Sequence, residues 1–324
     1  LEREDEAIKD FDEAIKLDPE FDYALNFRGL SKHFLKREEE AIKDFDKAIK
    51  LNPKDPEYFL NRGDSKLELR RDKQAIKDFD KAIKLNPKFT NAYNSRGLAN
   101  LSLKRHDQAL KDFDKGITID RKFDPFFNNR GLVNYELGKY EKAIRDFNEA
   151  IKLNSNEAKY FQNRGLSKIY FEKSEQAIKD FDKAIKLDSK YTKAFNNRGL
   201  AKYELGKYAE AIIDYDKAIK SDRKYSLAFY NRGLANYQLG KYEKAIEDYD
   251  EAIKLNPQDF SSFYNRGLTK YDLDRYEEAI KDYDMAIKLD SQDSSSFKNR
   301  GLAKACQKRY EEAIKDYDDA IKLD

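Results

Sequence analysis

The dipeptide Arg-Gly returns every 34 residues along this chain, and that period constrains the fold more than any other feature. It stands at Arg28-Gly29, Arg62-Gly63, Arg96-Gly97, Arg130-Gly131, Arg164-Gly165, Arg198-Gly199, Arg232-Gly233, Arg266-Gly267 and Arg300-Gly301, without a slip. A fixed period of this length marks a stacked array in which each copy buries its apolar face against its neighbours. The copy at 226–259 serves as the frame, with Ser226 as position 1 and Asp259 as position 34. Residues 1–21 then cover positions 14 to 34, eight full copies fill 22–293, and 294–324 is a last copy three residues short. No linker, low-complexity tract or composition break interrupts them, so one continuous array over 1–324 is expected.

Each copy predicts two helices. In 229–239, Phe229, Gly233, Leu234 and Tyr237 recur at helical spacing. Gly240 breaks that pattern, as a glycine past a helix end does. In 242–255, Tyr242, Ala245, Ile246, Tyr249, Ala252 and Ile253 form a second apolar stripe. Asn256-Pro257 ends it, because a residue before proline is pushed out of the helical region. Position 8 is always glycine and position 20 always alanine, which suits two helices crossing closely.

The set Phe229, Gly233, Tyr237, Gly240, Tyr242, Ala245, Tyr249, Ala252 and Pro257 resembles the tetratricopeptide repeat, and the resemblance runs the length of the chain. It implies an all-α fold, a right-handed superhelical solenoid of helix-turn-helix copies whose first helices line a concave groove. The family serves as protein-interaction scaffolds, which gives the leading expectation for function.

Composition excludes several classes. The chain is 39% charged and 40% hydrophobic, with 21 Phe and 22 Tyr: too aromatic for disorder and too charged for a membrane protein. The 64 basic and 62 acidic residues nearly balance, so nothing points to nucleic acid. No apolar run reaches a membrane-spanning length. Cys306 is the only cysteine, which suits a reducing, cytoplasmic compartment. The chain starts at Leu1 inside a copy and reads as a fragment of something longer.

The copies differ. Position 24 is Phe in the first six and Tyr in the last four, and position 17 is Tyr only in later copies. Gly116 replaces the alanine of position 27. Its helix cost of about 0.5–1 kcal/mol, plus lost packing, predicts that 90–123 is the softest internal copy.

Arginine at position 7 departs from the family pattern, and aspartate at position 23 (Asp10, Asp44, Asp78, Asp112, Asp146, Asp180, Asp214, Asp248, Asp282, Asp316) recurs as strictly. Together they predict an ion-pair ladder, each guanidinium fork meeting a carboxylate of its own or an adjoining copy. The acids at position 25, such as Asp46, Asp216 and Asp250, stand four residues before lysines and read as a solvated face of i,i+4 pairs.

Position 6 carries the candidate binding residues: Asn61, Asn129, Asn163, Asn197, Asn231, Asn265 and Asn299. It shares a stripe with positions 2, 9 and 13, which lines the groove in this family. A primary amide both donates and accepts, so such a row can hold the backbone of an extended peptide. It resembles the asparagine ladder of long tetratricopeptide superhelices; the competing reading is a hydrogen bond between copies. Tyr230 and Tyr264, at position 5, form a candidate aromatic anchor.

No phosphate loop, nucleotide fingerprint, zinc motif or nucleophile elbow appears, so no catalytic residue, metal or cofactor is expected. His33 and His106 read as surface variants. The sequon at Asn100 lies inside a helix and reads as chance. The carboxylate clamp of chaperone-binding relatives is missing, since position 9 is leucine or Asp64.

The leading expectation is thus a non-catalytic scaffold holding a protein or peptide segment in its groove. Two alternatives stand beside it. The ends, with Leu1 opening a second helix and Tyr317, Ala320, Ile321 and Leu323 forming an uncapped apolar face, could stack end to end. The array could also be the targeting arm of an enzyme whose catalytic domain lies elsewhere.

Overall fold

A computed structural model describes residues 2–323; Leu1, and with it the expected open start of the array, lies outside the described residues. Nineteen α-helices run in order: α1 Glu2–Leu17, α2 Asp22–Phe34, α3 Glu38–Leu51, α4 Pro56–Glu68, α5 Asp72–Leu85, α6 Thr90–Ser102, α7 His106–Ile119, α8 Asp124–Glu136, α9 Tyr140–Leu153, α10 Ala158–Tyr170, α11 Ser174–Leu187, α12 Thr192–Glu204, α13 Tyr208–Ser221, α14 Ser226–Gln238, α15 Tyr242–Leu255, α16 Phe260–Asp272, α17 Tyr276–Leu289, α18 Ser294–Cys306 and α19 Tyr310–Leu323. The second helix of the reference copy keeps its expected bounds, and the first begins three residues sooner, at Ser226. None is long and apolar enough to cross a membrane.

The chain divides into two compact units, Leu1–Ser155 and Asn156–Asp324. Within each, every helix packs on its neighbours in sequence. First helices of successive copies also touch (α2 with α4, α4 with α6, α10 with α12, α12 with α14). Within a unit, no second helix reaches the next second helix among the described residues. Each unit is therefore a helical solenoid with its first helices on the inner side.

Two turns repeat. Between the helices of a copy, position 15 takes a left-handed φ, at Gly138, Gly206 and Gly240, but also at Lys36, Arg70, Lys104, Glu172, Asp274 and Lys308. Glycine signals this turn in three copies; in the others the packed helices hold an ordinary residue there. Between copies, the position 31 side chain accepts from the backbone N–H two residues on, as in Asn52 from Lys54 and Asp222 from Lys224. That closes an Asx turn before the next helix.

The core forms where the two helices of a copy cross. A Cβ on Gly233 would stand 2.7 Å from the Tyr249 ring, and one on Gly63 2.5 Å from the Phe79 ring. Glycine at position 8 thus admits the aromatic of position 24, while the alanines of position 20 from Ala41 to Ala279 are fully buried.

The 90–123 copy corrects the expectation of lost packing. A Cβ on Gly116 would lie 2.1 Å from Phe126. Phe126 is a wholly buried ring at position 3 of the next copy, where alanine commonly stands. The ring fills the space the methyl leaves, so only the backbone cost of glycine remains.

Candidate functional site

The arginine row is a continuous ionic ladder inside each unit. Arg232 places Nε and Nη2 at 2.9 and 2.6 Å from Asp248 Oδ1, while Nη1 reaches 2.5 Å to Asp216 Oδ1 of the preceding copy. Arg28 bridges Asp44 and Asp12 in the same way, Arg62 bridges Asp78 and Asp46, Arg198 bridges Asp214 and Asp182, and Arg300 bridges Asp316 and Asp284. Each carboxylate lies 16 residues from the arginine, one before and one after. The guanidinium also lies over the ring of position 4, with Arg232 5.5 Å from Phe229. Burial opposes its charge, but the hydrogen bonds to Asp248 and Asp216 outweigh that and raise the Arg232 pKa above its ordinary value.

This corrects the reading of the position 25 acids as members of solvated i,i+4 pairs: Asp46, Asp216 and Asp250 instead receive the next copy's arginine. Position 11, which the sequence reading passed over, completes the ladder. Lys32, Lys66, Lys168 and Lys304 reach the buried position 23 carboxylate at 2.7–2.8 Å, and Asn236 does so at 2.9 Å. Asn100, the residue of the chance sequon, is buried and donates to Asp112. The signal was present, because position 11 is always lysine or asparagine.

The asparagines of position 6 lie on the first helices, and their amides link copies. Asn61 Nδ2 donates to Asn26 Oδ1 at 2.9 Å, Asn129 to Asn94 at 2.8 Å and Asn231 to Asn196 at 2.9 Å. Where position 5 is tyrosine, the hydroxyl accepts: Asn265 donates to Tyr230 at 3.2 Å and Asn299 to Tyr264 at 2.9 Å. Asn197 accepts from Asn196 at 3.1 Å, and the backbone carbonyl of Asn163 accepts from Ser167. The competing bond between copies is therefore formed. Asn129, Asn197 and Asn231 are buried; Asn61, Asn163, Asn265 and Asn299 are half-buried.

Tyr230 and Tyr264 are half-buried rather than presented to solvent. Their rings lie 6.1 Å from Tyr249 and Tyr283 respectively, so they belong partly to the core. Leu200, Leu234 and Leu268 of position 9 are half-buried on the same first helices, and Leu227 is exposed.

At position 9 of 56–89, burial pushes the Asp64 carboxyl up to about 6, against the pull of Ser95 and His33. His33 is not a bare surface variant: its Nδ1 lies 2.7 Å from Glu38 Oε2 and 3.1 Å from Ser65 Oγ. His106 Nε2 lies 3.1 Å from Glu136. Among the described residues, no group of His, Cys, Asp and Glu is placed to hold a metal ion.

Family models place this geometry. Models described as tetratricopeptide repeat or TPR repeat match residues 1–21, 23–55, 60–123, 125–157, 168–206, 199–240, 226–259 and 260–293. A search of curated proteins returned no match. Among solved structures, the chain is similar to one titled "Crystal structure of APC/C hetero-tetramer Cut9-Hcn1", with TM-score 0.65 and 15% identity over 88% of this chain and 56% of that one. It therefore spans little more than half of that relative. It is also similar to a tetratricopeptide repeat protein from Parabacteroides merdae, with TM-score 0.62 and 19% identity over 76% of this chain and 98% of that one. These likenesses show the fold alone. With the 34-residue frame matched along nearly its whole length, the chain belongs to the tetratricopeptide repeat family.

Proposed function

We propose that the chain is a non-catalytic scaffold that holds an extended peptide segment along the inner side of its first helices, in the cytoplasm. The family supports protein interaction in general. The observation that carries the finer reading is the inner stripe itself, where half-buried leucines of position 9 stand beside the amides of position 6. An amide nitrogen carries two N–H groups. At Asn61, Asn129, Asn231 and Asn299 the link between copies takes one, so a peptide carbonyl can take the other, whereas Asn265 donates to both Tyr230 and the Ser261 carbonyl and offers a peptide its oxygen. In this reading Asn61, Asn129, Asn163, Asn197, Asn231, Asn265 and Asn299 guide the backbone, and Tyr230 and Tyr264 flank it.

The test is panning of a random displayed-peptide library against the chain. The reading expects selected peptides that lose about tenfold or more in affinity when Asn197, Asn231 and Asn265 are all replaced by alanine. Unchanged affinity in that variant, with its melting profile preserved, rejects the asparagine row as the site.

A second reading is end-to-end self-association of the array. Light scattering that stays monomeric at high concentration removes this reading. The third, an enzyme's targeting arm, is decided by the neighbouring sequence.

A further inference from the structure

In four copies a tyrosine pair closes the corner between the two helices, one ring from position 12 and one from position 17. The pairs are Tyr135–Tyr140, Tyr203–Tyr208, Tyr237–Tyr242 and Tyr271–Tyr276, with centroids 5.1 to 5.7 Å apart. In the second unit the position 12 hydroxyl meets position 13 of the next copy. Tyr237 donates to Asp272 at 2.6 Å, Tyr203 bonds Gln238, and Tyr271 lies 3.6 Å from Cys306 Sγ.

In four other full copies both tyrosines are missing together, while the last copy keeps Tyr310 beside Ala305. At 22–55 and 90–123, polar groups occupy the corner, through His33 with Glu38 and His106 with Glu136. At 158–191 the two places hold Ile169 and the small Ser174, and the corner is open. A hollow of about 460 Å³ lies there, walled by Ile169, Ser174, Leu205 and Glu204. The first unit has a smaller counterpart of about 280 Å³ beside Leu67, Glu68, Leu98 and Ser102. There too the pair is absent, but Ser102 donates to Asp72 at 2.7 Å across the corner. The hollows thus arise where the chain omits its own aromatic pair.

We propose that the hollow at Ile169, Ser174 and Leu205 is a pocket for one unphosphorylated tyrosine side chain of a partner segment. The chain itself defines the occupant, because four equivalent corners are filled by tyrosine rings. Glu204 holds position 13, the acceptor place that Asp272 fills for Tyr237 of the preceding copy, and with Ile169 at position 12 the copy preceding Glu204 supplies no tyrosyl hydroxyl to it. A bound phenol donates to that carboxylate. Glu172 and Glu175 also line the hollow. Its one lysine, Lys173, is held 4.4 Å over the Phe171 ring. The wall is net negative, so a phosphorylated ring is repelled. Position 13 belongs to the groove stripe, so the partner side of this proposal rests on the groove reading above.

The test uses the full chain and single amino-acid amides followed by amide NMR shifts. N-acetyl-tyrosinamide should give saturable shifts at Ile169, Ser174 and Leu205. N-acetyl-phenylalaninamide should bind about tenfold more weakly for want of the charge-assisted hydrogen bond, and the phosphotyrosine amide should give no shift. Ser174→Tyr should cut tyrosinamide binding at least tenfold while melting no lower than the parent. Glu204→Ala should erase the preference for tyrosine over phenylalanine. Absence of saturable shifts at these residues, or equal binding by Ser174→Tyr, overturns the pocket. The triple asparagine variant separates the two readings. Tyrosinamide binding should survive in it, so a failed pocket and a failed groove give different results.

Discussion

Gly116→Ala inverts the ordinary helix rule. Alanine is favoured over glycine in a helix interior by about 0.5–1 kcal/mol, and alanine is what position 27 carries in the other copies. The surroundings argue the other way. The added Cβ would meet Phe126 at 2.1, 2.2 and 2.6 Å, whereas carbon atoms rest at about 3.5–4.0 Å. The ring must move by more than an ångström. It is fully buried with Tyr93, Ala109, Phe113 and Val133, and edge-on to Phe123 at 5.0 Å. Overpacking of this kind costs about 1–3 kcal/mol, leaving a net loss of about 1–2 kcal/mol after the propensity gain. A solenoid opens locally, so the assay is hydrogen exchange of the α7 and α8 amides, with urea unfolding alongside. Phe126→Ala alone leaves a cavity and should cost about 3–5 kcal/mol. The double variant restores the alanine pairing seen at Ala82 with Ala92 and Ala218 with Ala228, and should be more stable than Phe126→Ala. Slower exchange in Gly116→Ala than in the parent would refute this reasoning.

Three further outcomes are expected. Arg232→Met leaves the buried Asp248 with only Asn236 and should cost about 3–5 kcal/mol, whereas Asp216→Ala removes only the exposed half of the bridge, worth about 0–1 kcal/mol; equal losses in denaturant titrations would contradict the division. Asp64, with its folded pKa raised to about 6, favours the folded state while protonated, so stability should fall as pH rises from about 4 to about 6 and then level off; Asp64→Asn should flatten that slope, and a parent melting profile without it counts against the burial. Arg70→Gly and Lys104→Gly relieve a left-handed φ and should each raise stability by about 1 kcal/mol in thermal melts, with Lys77→Gly, at an exposed site in mid-helix, as the opposite-signed control.

Much of the fold was legible in the sequence because the array reads the same local rule many times. Glycine at position 8 and the aromatic at position 24 answer each other within one copy, and the Arg232–Asp248 pair follows from two strict positions on facing helices. What lay between copies was less legible. Whether Asp216 faces water or the next arginine depends on the step from one copy to the next, which no single copy encodes. The position 6 amides were placed on the first helices, but the chain alone left open whether a peptide or position 5 of the preceding copy would take them.

The sequence by itself therefore determined the helix pairs, their period and the family, since these follow from spacing within 34 residues. Only the tertiary structure decided the exchanges across copies: the Phe126 ring in the space of a missing methyl, the arginine shared between two carboxylates, and the corner left hollow at Ser174. Their physical reason is common. Each depends on which atoms the stacking step brings within contact, and that step is a property of the packed array.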